Sequence, residues 1–105
     1  MAYSYLLTNK AKTDIDSILA YIINDLSNLV AAKELFDRID KSIKTICEFP
    51  KSCPLYETKY LQLETIRYKK IKNYLLFYVV DDRNKQILIL RVIYSKRRID
   101  QIELF

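Results

Sequence analysis

The chain has no glycine, no histidine and no tryptophan, and only two prolines and two cysteines among its 105 residues. Each absence removes a class of function. Without glycine there is no Gly-rich loop to wrap backbone amides around a phosphate, which excludes the nucleotide-binding folds that depend on one. Without histidine, any proton transfer must use Tyr, Lys, Asp or Glu. Cys47 and Cys53, with no histidine to join them, cannot build a tetrahedral zinc site of the usual kinds, so no metal and no cofactor is expected. They are read as reduced thiols, with Cys47 packed on a helix face. The N-terminus lacks a basic start followed by a long apolar stretch, so no leader is expected. The longest apolar run falls far short of the roughly 20 residues a membrane span needs. The expected setting is a reducing cytoplasm, away from membranes.

What is present describes one domain spanning residues 1–105, large enough for one modest core. Half the residues are hydrophobic and 30% are charged, a balance that folds rather than stays disordered. The net charge of +5 favours anionic partners. Nine tyrosines suit half-buried surfaces, since each offers a flat apolar body and a polar tip.

Along the chain, Tyr3–Leu7 reads as a short strand, and Thr8 or Asn9 supplies a side-chain oxygen suited to a helix N-cap. Ala11, Ile15, Ile18, Leu19, Ile22 and Leu26 then recur at helical spacing. Ser27-Asn28 ends this helix and caps a second, whose stripe is Ala32, Phe36, Ile39, Ile43 and Ile46. In it Glu34 and Arg38 form a supporting i,i+4 pair. Pro50 stops the second helix near Phe49. Residues 51–63 read as a loop, Thr65–Ile71 as a strand, and Lys72-Asn73 as a tight turn into Tyr74–Val80. A second turn, Asp81–Lys85, leads to Gln86–Tyr94, and Arg97–Phe105 forms a tail. The expected fold is α+β: a small antiparallel sheet in the order β-α-α-β-β-β, with the helical hairpin packed on one face. Ile15, Ile18, Ile22, Phe36, Ile39 and Ile43 should be buried there against Leu76, Tyr78 and Leu88.

The chemistry concentrates in the last third. Arg67, Lys69, Lys70 and Lys72 lead into one strand, while Arg91, Lys96, Arg97 and Arg98 lie in or just after another. If the sheet juxtaposes these runs, they make a basic platform for phosphates or for an acidic protein, with Tyr68, Tyr74 or Tyr94 available to stack on a base. The plainer alternative is a solvated polar face. Arg91, in the middle of an apolar strand, has its own alternative as a buried partner for an aspartate or glutamate. Tyr74 and Tyr78 are read as core residues.

Several tracts together resemble the RelE/ParE superfamily of toxins from bacterial type II toxin–antitoxin modules. They are Arg67-x6-Tyr74-Leu-Leu-Phe-Tyr78 and Leu90-Arg-Val-Ile-Tyr94-x2-Arg97, preceded by Ala11-x2-Asp14-Ile15, Tyr21-Ile22, Ala31-Ala32 and Phe49-Pro50. The resemblance covers nearly the whole chain. It implies a growth-inhibiting toxin, a helical hairpin on a small sheet, and a cognate antitoxin whose acidic or amphipathic segment wraps it in a hetero-oligomer.

The resemblance leaves two targets open. RelE-like members are ribosome-dependent endoribonucleases (mRNA interferases) that use arginine, lysine and tyrosine; here Lys69, Lys70, Arg91, Tyr94 and Arg97 would hold and cleave the message. ParE-like members inhibit DNA gyrase and are not nucleases; Arg67, Lys69, Lys70, Arg91, Tyr94, Lys96, Arg97 and Arg98 would then be binding determinants. In RelE-like nucleases the strand matching Tyr74–Tyr78 reads Tyr-Arg-Leu-Val-Tyr, with its arginine in the active site. Here that position is Leu75, which cannot stabilise charge on a scissile phosphate. Near the C-terminus, where the family often shows Gly-Arg-Arg-Asp, this chain has Ser95-Lys96-Arg97-Arg98. The expectation is therefore gyrase inhibition without catalysis, with the nuclease and an inactive binding module as alternatives.

Overall fold

Thr8 and Asn28 each turn a side-chain oxygen onto an amide three residues on, Ala11 N and Ala31 N, both at 3.0 Å. These two caps start the two α-helices among the described residues, as their residue types imply. The computed structural model describes residues 3–56 and 65–96. In order these hold strand β1 (Ser4–Leu7), helix α1 (Asn9–Ala20), a π-helical turn (Tyr21–Asp25), helix α2 (Leu29–Glu48), and strands β2 (Ile66–Ile71), β3 (Tyr74–Asp81) and β4 (Gln86–Tyr94). The α+β class and element order match the expectation. The expected tail 97–105 and the loop residues 57–63 lie outside the described residues. No helix among those described is long and apolar enough to cross a membrane.

The sheet order is β1-β4-β3-β2. Both hairpins, β2–β3 and β3–β4, are antiparallel, but β1 runs parallel to β4, with Tyr5 opposite Ile87 and Leu7 opposite Ile89. The sheet is thus mixed rather than purely antiparallel. The reason is topological: the two-helix excursion returns the chain to the far edge, so β1 meets the last strand rather than its sequence neighbour. With no glycine available, left-handed backbone falls to Ser27 (φ 50°), Lys72 (φ 53°) and Lys85 (φ 49°). Each sits at a chain reversal, and Lys72 takes the first position of the two-residue β2–β3 turn.

The hairpin covers one face of the sheet. Ile15, Ile22, Leu35, Ile39, Ile43 and Ile46 pack there against Leu76, Tyr78, Ile87 and Ile89, with Ile18 half-buried at the margin. Cys47 is buried in this core, and both cysteines are free. Two expected core residues lie elsewhere. Leu88 points to the opposite face, where Ile66, Phe77, Leu90 and Ile93 form a second cluster that Tyr56 joins edge-on to Phe77 at 4.9 Å. Phe36 is 53% exposed. Leu35, one residue earlier on the helix, faces inward instead at 2% exposure. The rest of the expected stripe, Ala32, Ile39, Ile43 and Ile46, is buried; only Phe36 is replaced, because Leu35 and Phe36 are both apolar and periodicity alone does not choose between them. Glu34, expected to pair with Arg38, turns to Lys72 at 3.5 Å.

Candidate functional site

Where β1 ends, the start of α1 takes over the hydrogen bonding of the β4 edge. Thr8 N donates to Ile89 O at 3.0 Å, and the Thr8 hydroxyl donates to Leu90 O at 2.9 Å. The register of β3 against β4 shifts here: Phe77 faces Arg91 and Tyr78 faces Ile89, leaving Leu90 as the extra residue of a bulge. Bulges re-aim side chains, and the residue after this one is Arg91. Its Nε donates to Asp14 Oδ2 at 2.6 Å and its Nη2 to Asp14 Oδ1 at 2.9 Å, while Val92 N donates to Asp14 Oδ2 at 3.1 Å. Both side chains are only 13% exposed. Arg91 is therefore the partner of a part-buried aspartate, one of its two alternatives in the sequence, and joins α1 to the last strand.

Arg67 also works locally. Its Nη1 donates to Cys53 O at 2.6 Å and to Lys51 O at 3.4 Å, fastening the segment after α2 to β2. Beside it the Tyr78 hydroxyl donates to Pro50 O at 2.8 Å. Burial pushes the Tyr78 phenol far above its ordinary value, so it stays neutral. At the same end of the molecule Asp82 accepts from Tyr3 Oη and Lys51 Nζ, each at 2.8 Å. The lysine first, then the tyrosine, holds the Asp82 carboxyl below its usual range.

Among the described residues, the basic run of β2 does not lie on one face. The strand register places Arg67 opposite Tyr78 and Lys69 opposite Leu76, on the helix-covered face, whereas Tyr68 pairs with Phe77 and Lys70 with Leu75, on the other. Lys72 leans toward Glu34. Lys70 and Lys96 are exposed. Tyr94 is 42% exposed and lies edge-on to Tyr74, their rings 5.8 Å apart; Tyr74 is half-buried as a packing residue. Arg97 and Arg98 lie outside the described residues. Leu75 is partly buried and packs into the second apolar cluster. No group of metal-binding side chains occurs among the described residues.

The feature that sequence reasoning missed is apolar. A cleft of ≈ 360 Å³ opens between β1, α1 and α2, with Tyr5, Leu7, Ile15, Phe36, Ile39 and Ile43 among its lining and Lys12, Asp16 and Asp40 beside them. A second, of ≈ 280 Å³, shares Phe36 and continues past Leu19, Ile23 and Leu29. The available signal was the surplus of apolar residues in the helices over what one buried stripe requires.

A helical hairpin laid on one face of a small sheet, with these tracts in this order, defines a toxin domain of the RelE/ParE superfamily. Residues 5–99 match the family model described as the ParE toxin of the type II toxin-antitoxin system parDE, and the chain belongs to that family. It is thereby the toxin component of a type II toxin–antitoxin system. Among solved structures, a chain of the chromosomal ParDE system from P. aeruginosa is similar at a TM-score of 0.69 and 18% identity, covering 90% of this chain and 98% of that one. A chain of the RelBE2 toxin–antitoxin complex from Mycobacterium tuberculosis aligns at a TM-score of 0.47 and 17% identity, covering 90% and 99%. Comparison with curated proteins finds no match to this sequence.

Proposed function

We propose that this toxin arrests growth in the cytoplasm by binding DNA gyrase without catalysis, and that a cognate antitoxin neutralises it in a hetero-oligomer. The observation that carries the target reading is the Asp14–Arg91 pair. A nuclease of this superfamily needs arginines free to hold a scissile phosphate; here Arg91 spends its guanidinium on a part-buried carboxylate, and Leu75 packs among apolar side chains. Membership of the ParE family supports the same reading. Under it Lys69, Lys70, Tyr94, Lys96, Arg97 and Arg98 contact the target, while Arg67 and Arg91 shape the scaffold that presents them.

The antitoxin reading rests on the family and on the net charge of +5, which an acidic partner would offset. Ribosome-dependent mRNA cleavage is the second reading, favoured by the exposed Tyr94, with Lys69, Lys70 and Arg97 as its cationic partners. Plasmid supercoiling by purified gyrase tests the proposal: inhibition by the toxin, reversed by the antitoxin, supports it. Unimpaired supercoiling by folded protein overturns it. If expression of folded protein also leaves growth unchanged, the chain is an inactive binding module.

A further inference from the structure

Three tyrosines from separate parts of the chain meet at the end of the sheet away from the Asp81–Gln86 pair. Tyr74 and Tyr94 are partners across β3 and β4 and lie edge-on, their ring planes 67° apart. Tyr21 opens the π-helical turn that follows α1. Burial first, then the nearby Tyr94 and Tyr21 phenols, pushes the Tyr74 phenol above its ordinary value. Tyr21 is 52% exposed and Tyr94 42%, so neither ring is there to fill the core. The turn that carries Tyr21 is itself unusual. Leu26 N reaches back five residues to Tyr21 O at 3.2 Å, although no proline or glycine interrupts the helix. Ile22 anchors this turn in the core while Tyr21 beside it stays outside, and such turns frequently mark functional sites. Two lysines flank the tyrosines: Lys72 and Lys96 are exposed, two residues before Tyr74 and two after Tyr94. A bond from Ser95 N to Asn73 O at 2.8 Å ties their two segments together. Lys72 reaches Glu34 only at 3.5 Å between exposed side chains, a contact that holds it weakly.

We propose that Tyr21, Tyr74 and Tyr94, flanked by Lys72 and Lys96, form the patch by which the toxin grips gyrase, and that the matching surface is an apolar protein patch bordered by acidic side chains. This rests on the gyrase reading above and names the part of the toxin that makes the contact. Tyrosine is the residue type for such a patch. It brings a large flat contact area at the cost of two rotatable angles, and it is enriched among the side chains that dominate protein interfaces. The lysines, with the net charge of +5, favour an acidic border and speed the encounter. Two observations favour protein over nucleic acid as the occupant. The sheet arginines Arg67 and Arg91, whose planar forks would suit phosphate, are turned to Cys53 O and Asp14. The edge-on Tyr74 and Tyr94 rings present no slot between parallel faces for a base. A second copy of this chain brings the same positive charge and is disfavoured by it.

The test is surface plasmon resonance of purified toxin on immobilised gyrase, for the wild type, Tyr21→Ala, Tyr94→Ala and the double variant. Both positions are exposed, so the thermal midpoints should stay near that of the wild type. Each single variant should weaken binding by at least about tenfold, and the double variant by more, while binding to the protein encoded by the adjacent reading frame is unchanged. Lys96→Glu, at an exposed site, gives a second measure that does not touch the rings: association with gyrase should slow, most of all at low salt. Variants that bind gyrase as the wild type does overturn the tyrosine patch and leave the gyrase reading intact. Folded wild-type toxin that does not bind gyrase overturns both. Loss of antitoxin binding with gyrase binding kept assigns the patch to the antitoxin and overturns the proposal. So does a fluorescein-labelled single-stranded RNA oligonucleotide that binds the wild type and not Tyr94→Ala, since it makes the patch a platform for bases.

Discussion

Asp14 holds Arg91 with both carboxylate oxygens, at 2.6 and 2.9 Å, and still accepts the amide of Val92 at 3.1 Å. One side chain of α1 thus satisfies both the charge and the open backbone of β4 where β1 has ended. Removing one member of a part-buried pair leaves its partner's charge and an amide unsatisfied, so Asp14→Ala should lower stability by about 1–3 kcal/mol. The double variant Asp14→Leu/Arg91→Met should be markedly more stable than Asp14→Leu alone. Urea unfolding of the four members of that cycle measures the coupling directly. Additive losses would mean that the pair is not a structural unit.

Phe36 and Leu35 provide a control on the core. Phe36→Ala, at a 53% exposed site, should cost less than about 1 kcal/mol, whereas Leu35→Ala, at a 2% exposed site, should cost about 2–5 kcal/mol. Denaturant midpoints for both variants check this. Phe36→Ala should nonetheless weaken antitoxin binding, because Phe36 lines both apolar clefts.

The architecture was legible in the sequence because its signals are local and redundant. Thr8 and Asn28 are strong caps, Pro50 ends a helix, and Lys72-Asn73 and Asp81–Lys85 separate apolar strands. The direction of β1 was not legible, since a strand of four residues carries no mark of parallel or antiparallel pairing. The choice between Leu35 and Phe36 was open for a similar reason: adjacent apolar residues give two admissible stripes. Of the site, Arg91 was recognised as needing an explanation, but only the bulge at Leu90 decides that Asp14 supplies it. The basic run Arg67–Lys70 looked like one patch, and strand alternation divides it between two faces.

Lys85 adopts left-handed backbone at φ 49°, a conformation that costs an ordinary residue about 1–2 kcal/mol. Glycine removes that strain but loses about 0.4–1 kcal/mol to greater freedom in the unfolded chain. Lys85→Gly should therefore raise stability by roughly 0.5–1 kcal/mol, seen as a higher thermal midpoint. A fall in the midpoint would show that the Lys85 side chain contributes contacts that outweigh the strain.

The pH profile follows from the absent histidine and from Asp82. With no histidine in the chain, stability should be nearly flat between about pH 5 and 8. Asp82 is held below the ordinary aspartate value by Lys51 and Tyr3. A carboxylate with a lowered native pKa contributes stability that is present above its unfolded value and lost as pH falls through the native one. Unfolding midpoints should thus decline below about pH 4, and Asp82→Asn should make that decline shallower. An unchanged acid limb would show that the Tyr3–Asp82–Lys51 contacts contribute nothing to folding.

Lys70 and Lys96 are exposed, so Lys70→Glu and Lys96→Glu should reduce toxicity in graded steps without changing the thermal midpoint. The loss should appear mainly as slower, more salt-sensitive association with the target. Equal toxicity of both variants would remove these lysines from the binding surface.

The most direct measurement sets plasmid supercoiling by purified gyrase beside translation-coupled cleavage of messenger RNA, with the same preparation of folded toxin in both. Binding without chemistry should inhibit supercoiling at toxin concentrations comparable to gyrase and leave ribosome-bound message intact. Cleavage of message at catalytic ratios, abolished by Tyr94→Phe and accompanied by unaffected supercoiling, would contradict the account and make the chain a nuclease.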